Sequence, residues 1–456
     1  MAYSTIMAMQ GTSADELARN IATALTARGY RAYLVGGCVR DLLLGRTPKD
    51  YDVATDARPE QVLALFSQAR QVGAHFGVVL VTEGDAQVEV ATFRSDHAYY
   101  DGRHPSSVQF ETDPRLDVLR RDFTINALLL DPATGQILDF VGGKADLDNR
   151  LVRAIGDAEV RFREDHLRML RAVRFAATLG FQIAPDTMAA IRRLHLHILD
   201  VSAERIRDEL VRILTEGNAR RGIELLDESL LLPDILPEVA AMKGVAQPPR
   251  FHPEGDVWMH TLMMLEGLHS PSLELALSVL LHDVGKPPTF RVEERIRFDG
   301  HAEVGARMAR EILTRLRFSK EQIQRVEALV AGHLRFKDVD RMKESTLKRF
   351  LRQPYFANHL ELHRLDCLAS HGNLERYYFL KAKLDQLPVE ELKPPRLITG
   401  DDLILMGYQP GPPFRVILEA VEDAQLEGRI HTPREALELV RSLFQPPDGR
   451  PRPVCK

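Results

Sequence analysis

The run Leu34-Val35-Gly36-Gly37-Cys38-Val39-Arg40-Asp41, followed closely by Lys49-Asp50-Tyr51-Asp52-Val53-Ala54, decides how the N-terminal part of the chain reads. Ala32 to Val35 is an apolar strand that ends in paired glycines. A short amphipathic helix follows (Val39, Leu42, Leu43) and stops at Gly45, and after the turn at Thr47-Pro48 the next strand is Tyr51 to Ala54. Glycines at a strand end let backbone N–H groups approach a polyphosphate, and Arg40, one helical turn on, adds positive charge. Carboxylates at i and i+2 of a strand share a face, so Asp50 and Asp52 can share one or two divalent cations. Hard oxygen ligands of this kind select Mg²⁺. A Gly-Gly or an Asp-x-Asp alone is commonplace in turns. The order strand, Gly-Gly, helix, Asp-x-Asp is what carries the reading.

Upstream, Ser13 and Glu16 form a capping box, Leu17, Ile21 and Leu25 recur at helical spacing, and Gly29 ends the helix. Downstream, Pro59 opens a helix with Val62, Leu65 and Phe66 on its apolar face. Strands are expected at Gly77 to Val81 and Gln87 to Thr92. In the second, Glu89 stands between Val88 and Val90, costly if buried unless it faces a cleft or a metal. It is a candidate third acid; a solvated edge strand is the alternative. From about residue 157 helical periodicity takes over. The expected organisation is an N-terminal helix (1–31), an α+β head (32–155), a helical body (156–249), a second all-α domain (250–374) and a helical tail (375–456), loose from Pro446 on.

The chain has 456 residues, 45% hydrophobic and 27% charged, which excludes global disorder and one compact domain. No apolar run reaches the roughly 18–20 residues that span a bilayer, so no membrane partner is expected. The first twenty residues carry Gln10, Asp15, Glu16 and Arg19, unlike a secretory signal. Cys38, Cys367 and Cys455 fit neither a disulfide framework nor a zinc spacing, and a cytoplasmic location is expected. The net charge of −5 argues against indiscriminate coating of nucleic acid but allows a local basic groove.

The segments above continue in order through Arg120-Arg121-Asp122-Phe123-Thr124-Ile125-Asn126-Ala127, Asp139-Phe140-Val141-Gly142-Gly143 and Arg163-Glu164-Asp165-His166-Leu167-Arg168-Met169-Leu170-Arg171-Ala172-Val173-Arg174-Phe175. Together they resemble the polymerase-β-like nucleotidyltransferase head of bacterial tRNA CCA-adding enzymes and the related poly(A) polymerases. The resemblance implies that Asp50 and Asp52 hold catalytic Mg²⁺, beside which Glu89 remains the candidate third acid. It implies that Gly36, Gly37 and Arg40 contact phosphates, that Arg121 and Asp122 bind triphosphate and ribose, and that CTP, ATP and the tRNA 3′ end are the partners. Asp165 and Arg168, three apart on a helix, would present an acceptor and a donor to one base edge. Cytosine and adenine each offer an amino donor beside a ring-nitrogen acceptor, whereas guanine and uracil set a carbonyl oxygen against the carboxylate. Arg171 and Arg174 follow at helical spacing and could reach phosphate. The alternative is a solvated helix with a Glu164–Arg168 ion pair.

Phe76 to Arg94 resembles the CCA-adding members, and the Arg-rich stretch of the poly(A) branch is not evident. Ser95 to Pro105 resembles the flexible loop that CCA-adding and A-adding enzymes carry and CC-adding relatives lack. That disfavours CC-only activity and leaves CCA addition and A-only addition open; an ordinary hairpin connection is the alternative reading of the loop. Further on, Leu280-Leu281-His282-Asp283-Val284-Gly285-Lys286, with His260 upstream and Asp366 downstream, resembles the metal-dependent HD phosphohydrolases. His301 and His333 stand where some HD domains have additional ligands. Imidazole with carboxylate suits Mn²⁺, Ni²⁺ or Co²⁺. Such a domain hydrolyses phosphomonoesters or 2′,3′-cyclic phosphates, or survives as a scaffold. In the tail, Tyr377, Tyr378, Lys381, Lys383, Lys393 and Arg396 suit either a tRNA contact or a solvated face. The oligomeric state is left open. The competing whole-chain readings are an A-adding or poly(A) polymerase, an HD hydrolase with a non-catalytic head, and a tRNA-binding module without turnover.

Overall fold

Helix α1 (Ala14–Thr26) starts at the expected capping box, with the Glu16 N–H donating to Ser13 Oγ at 3.2 Å and the Ser13 N–H to Glu16 Oε2 at 3.0 Å. The structure is a computed structural model, and it describes residues 13–72, 77–99, 105–249, 252–253 and 255–444. His75, Phe76, residues 100–104, Cys455 and the segment from Pro446 lie outside the described residues. The chain divides into two units, Met1–Ala240 with Arg315–Phe318, and Ala241–Thr314 with Ser319–Lys456.

In the first unit the strands are β1 (Ala32–Val35), β2 (Asp52–Thr55), β3 (Ala69–Gln71), β4 (Val78–Glu83) and β5 (Ala86–Thr92), then the hairpin β6 (Arg94–Tyr99) and β7 (Pro105–Phe110), and the short β8 (Leu129–Leu130) and β9 (Ile137–Leu138). One sheet has the order β3-β4-β5-β2-β1-β8-β9, antiparallel except for the β2–β5 pair. Leu17, Ala18, Ile21, Ala22 and Leu25 of α1 are buried, and the helix packs on β1, β2 and β5. The N-terminal helix is therefore a layer of the head. On the other side Val35, Ala54, Phe93, Val118, Ala127, Leu129 and Ile155 form one apolar cluster. The helices between are α2 (Gly37–Leu43), α3 (Pro59–Leu65), α4 (Pro114–Leu119) and α5 (Gly143–Asp148), followed by α6 (Ala158–Glu164), α7 (Leu167–Leu179), α8 (Pro185–Leu194) and α9 (Ala203–Thr215).

The structure differs from the sequence reading at three points. The stretch read as a flexible loop is, in its described part, the β6–β7 hairpin, paired from Arg94↔Phe110 to Tyr99↔Pro105. Strands do not vanish after residue 157: Gln182–Ile183 pairs in parallel with Leu151–Val152, and Arg291–Val292 pairs with Ile296–Arg297. The C-terminal segment is more than a tail. Glu375–Gln386 buries Leu380 in a cluster with Phe336, Phe350 and Phe356, and residues 398–440 build a core of their own around Leu403, Ile417, Val421 and Val440. Tyr377 is half-buried against the first of these clusters, while Tyr378 and Lys381 are exposed.

In the second unit the helices Val257–Glu266, Leu273–Leu281, His301–Arg315, Lys320–Gly332 and Phe356–Ala369 surround a buried group of histidines with Asp283. Among the described residues no helix is long and apolar enough to cross a membrane.

Candidate active site

The register of the sheet assembles the acids. Val35, the last residue of β1, pairs with Asp52, and Asp52 pairs across the parallel ladder with Glu89 on β5. Asp50 precedes the strand, with buried Tyr51 between it and Asp52, so the two carboxylates reach one cleft from a loop and a strand start. Glu89 is exposed on a strand paired on both sides, so it is neither buried nor on an edge. Burial, then the neighbouring charge of Glu89, pushes the Asp52 carboxyl up to about 6; Arg121 opposes this and Asp50 adds to it. A carboxyl that resists ionisation beside like charges is what a divalent cation relieves, and the donor set fits Mg²⁺. Gly36, at φ 81° and ψ −137°, lets the chain turn from β1 into α2. A Cβ there would stand 3.6 Å from both Asp52 Oδ2 and Arg121 Nη1.

The cleft is about 660 Å³ and carries nine arginines and Lys49 against six carboxylates, a local excess of positive charge on a chain of net −5. Each arginine that sequence reading singled out is held by a protein acceptor. Asp117, buried within α4, takes Arg120 on Oδ1 (2.6 Å) and Arg121 on Oδ2 (3.0 Å). Asp122 accepts Arg171 at 2.8 and 2.5 Å and also the Phe123 N–H at 2.8 Å. Burial would raise this carboxyl, but the Arg171 guanidinium holds it down at about 2. Arg174 is buried against Glu209 at 2.5 Å, and Arg40 donates to Asn126 Oδ1 at 2.8 Å. The guanidinium carbons of Arg40, Arg171 and Arg174 all lie 4.0–5.4 Å from the ring centre of Phe175.

Asp165 is a correction to the sequence reading. It does not share a helix with Arg168: α6 ends at Glu164 and α7 begins at Leu167, leaving Asp165 extended at φ −149° and ψ 105°. Its carboxylate caps the Leu167 N–H at 3.1 Å and is forked by Arg205 of α9 at 3.1 and 2.8 Å. Arg168 makes the Glu164 pair at 2.6 Å and also donates to the carbonyls of Arg161 and Arg120, at 3.1 and 3.2 Å. A guanidinium has five N–H donors and a carboxylate about four acceptor positions, so both groups keep capacity for a ligand. Sequence reading missed Asp117, Arg205 and Glu209. Asp117 left a charge-pattern trace, standing three and four residues before Arg120 and Arg121, whereas Arg205 and Glu209 sit in a regular amphipathic helix that does not single them out.

The glycine-rich motif Asp139 to Gly143 acts by positioning. The Asp139 carboxylate accepts the N–H groups of Val141, Gly143 and Lys144 at 2.9–3.1 Å and starts α5. A Cβ on Gly143 would lie 2.2 Å from the Thr124 carbonyl oxygen, so only glycine lets α5 support the segment carrying Arg121, Asp122 and Asn126.

The second unit holds a separate centre. His260, His282, Asp283, His301 and His333 are all buried and fall into two triads that share Asp283. Asp283 lies 3.1 Å from His282 Nε2, 3.5 Å from His301 Nε2 and 3.9 Å from His333 Nε2, and Asp366 lies 3.2 Å from His260 Nε2. The Nδ1 atoms of His282, His301 and His333 face the carbonyls of Val279, Phe298 and Val330 at 2.6–2.9 Å. A carbonyl accepts only from N–H, so a neutral ring held this way turns its Nε2 lone pair inward, the tautomer a metal requires. Burial pushes His333 down to about 3, which keeps its ring neutral. Asp283 is held well below the carboxylate range: burial opposes ionisation, and His282 and Lys286 overcome it. Neutral imidazoles converging on carboxylates fit a transition metal. Gly285 makes the centre possible, since a Cβ there would meet the His301 carbonyl oxygen at 2.2 Å.

The raised Asp52 carboxyl predicts a pH signature. The unfolded chain ionises this group in the ordinary range near 4 and the fold only near 6, so the stability it contributes is fully present below pH ~4 and is lost as pH rises through about 6. Thermal melts of chelator-treated protein from pH 4 to 7.5 should show this loss, and Asp52→Asn should remove it without lowering stability at pH 7.5. An Asn variant less stable than wild type at pH 7.5 would contradict the assignment.

The chain also resembles known proteins in sequence and in fold. The chain matches family models described as the poly A polymerase head domain (residues 32–153), a probable RNA and SrmB-binding site of polymerase A (180–243) and the HD domain (256–361). It is 36% identical over 423 residues to a CC-adding tRNA nucleotidyltransferase of Thermus thermophilus, covering 89% of this chain and 92% of that one. To the CCA-adding enzyme of Geobacillus stearothermophilus it is 46% identical over 205 residues, 45% of this chain and half the length of the relative. In structure it resembles the Bacillus stearothermophilus CCA-adding enzyme solved with CTP, at a TM-score of 0.71 and 29% identity, covering 94% of this chain and 98% of that one. With near full-length similarity above 30% identity, and a head, an RNA-binding segment and an HD domain in order, the chain belongs to the tRNA nucleotidyltransferase and poly(A) polymerase family of enzymes.

Proposed function

We propose that this enzyme builds the CCA end of tRNA, without a template, from CTP and ATP. The observation that carries the reading is the convergence in one cleft of Asp50 and Asp52 with a field of anchored arginines and the Asp165–Arg168 pair. Arg40 and Arg121, with the backbone at Gly36 and Gly37, bind the triphosphate. Asp122 acts by orienting Arg171, and Glu209 by orienting Arg174. The Asp165 carboxylate accepts the amino group of cytosine or adenine, and Arg168 donates to the ring acceptor beside it. Asp50 and Asp52 would hold Mg²⁺, with Glu89 adding negative charge nearby, and the ion would supply Lewis acidity at the reacting phosphate. The tRNA 3′ oxygen bonds to the α-phosphorus as the bond to the β-phosphate bridging oxygen breaks, and the hydroxyl proton passes to solvent. Arg171 and Arg174, fixed before substrate arrives, meet the developing charge without reorganisation.

The names of relatives at 36–46% identity support tRNA as acceptor and CTP as donor. They divide on the last nucleotide. A relative aligned along 89% of this chain is CC-adding, and this favours a second reading in which the enzyme stops after two cytidines. The test uses three transcripts of one tRNA, ending at the discriminator base, after CC and after CCA, each with CTP, ATP, both, GTP or UTP. The CCA reading expects three additions to the shortest transcript, none to the longest and none from GTP or UTP, with Asp52→Ala abolishing addition while tRNA binding survives. Arrest after CC with both nucleotides present establishes the second reading. Extension only of the CC-ending transcript means A-only activity, and a long A ladder places the enzyme in the poly(A) branch.

For the second unit we propose a transition-metal phosphohydrolase acting on phosphomonoesters or 2′,3′-cyclic phosphates such as those at damaged tRNA ends. Wild type loaded with Ni²⁺, Mn²⁺ or Co²⁺ should open a 2′,3′-cyclic nucleotide, and His282→Ala should not. Inactivity with all three metals contradicts hydrolysis and leaves a scaffold.

A further inference from the structure

We propose a second, distinct transition-metal site in the first unit, formed by His166, His197 and Asp200. These residues come from two elements. His166 occupies the break between α6 and α7, directly after Asp165, and His197 and Asp200 lie on the 3₁₀ segment His195–Asp200. One ligand atom from each lies within 4.8 Å of the other two. His197 Nδ1 is 3.0 Å from Asp200 Oδ2, and His166 Nε2 is 4.0 Å from the same oxygen. A tetrahedral ion with bonds of about 2.0–2.1 Å sets its ligands about 3.3 Å apart, so the two gaps bracket the spacing required.

The surroundings suit such an ion. His166 is largely enclosed, its side chain 13% exposed, while His197 and Asp200 are 52% and 64% exposed. One ligand is thus fixed and two are free to adjust around an entering ion. The imidazoles stack at 4.9 Å with an interplanar angle of 15°, so a modest rotation of the exposed His197 ring turns both nitrogens onto one point. His195, on the same segment, is not part of the group; its Nδ1 pairs with Asp234 at 2.6 Å. Two imidazoles and one carboxylate, with a fourth position open to water, are a zinc-type donor set, also served by Co²⁺ and Ni²⁺. A bound ion would clamp the α6–α7 break, and with it the backbone next to Asp165, to the 3₁₀ segment. This proposal stands on side-chain geometry and does not depend on the reaction proposed above.

The test compares full-length wild type with His197→Phe, which keeps a ring to stack on His166 but removes the ligand, and with Asp200→Asn. Both positions are exposed, so folding is expected to survive. Each protein is stripped with chelator, titrated with Zn²⁺ and Co²⁺, and its metal content and cobalt visible absorption measured. The HD centre contributes equally to all three and cancels in the difference. Wild type should hold one more equivalent than either variant, or bind that equivalent at least about tenfold more tightly, with the matching cobalt band lost in both. Equal stoichiometry, affinity and cobalt spectra in wild type and either variant would overturn the site.

Discussion

Nine arginine side chains line one cleft, and their mutual repulsion is the constraint that the architecture of the head has to meet. It does so with carboxylates placed behind them. Asp117 holds Arg120 and Arg121, Asp122 holds Arg171, and Glu209 holds Arg174, each acid buried or nearly so. Removing one partner of a buried pair leaves an uncompensated charge, at a cost of about 3–5 kcal/mol, so these acids are not exchangeable with neutral residues. The Phe175 ring fills the space among three of the guanidiniums and offers each an aromatic contact. The result is a rigid cationic wall opposite an acidic pair at Asp50 and Asp52, the charge distribution that a metal-bound triphosphate complements.

Glycine provides the close approaches on which both centres rest. Gly143 brings α5 against the Thr124 carbonyl and so sets the segment that carries Arg121 and Asp122. Gly285 does the same beside the His301 carbonyl, letting His301 approach Asp283. Residues that look like chemistry in a motif therefore divide by role. Asp139 spends its oxygens on backbone N–H groups, and Asp122 spends its own on Phe123, Asn126 and Arg171, whereas Asp52 meets neighbours of its own sign.

Much of this was legible in the sequence because it is local. The capping box at Ser13, the strand–Gly-Gly–helix turn and the alternation around Glu89 all depend on neighbours within a few residues, and each appears in the fold. Apart from Asp117, which holds Arg120 and Arg121 within one helical turn, the partners of the site are not local. Asp165 meets Arg205 and Arg174 meets Glu209 across 40 and 35 residues, and no periodicity encodes such pairs. Helical spacing also misplaced Asp165. The run from Arg163 to Phe175 keeps a helical pattern throughout, yet the chain breaks at Asp165, where Arg205 and the Leu167 N–H hold its side chain. That break turns the carboxylate from a helix surface into the cleft, the orientation a base selector needs.

Selection of the base by protein side chains alone is the central claim, and equilibrium binding tests it most directly. The Mg²⁺-loaded enzyme would be titrated with CTP, ATP, GTP and UTP in the absence of tRNA, alongside Asp165→Ala. The account predicts that CTP and ATP bind at least about tenfold more tightly than GTP and UTP, and that the preference collapses in the variant. Equal affinity for all four nucleotides, or a preference unchanged by Asp165→Ala, would contradict it.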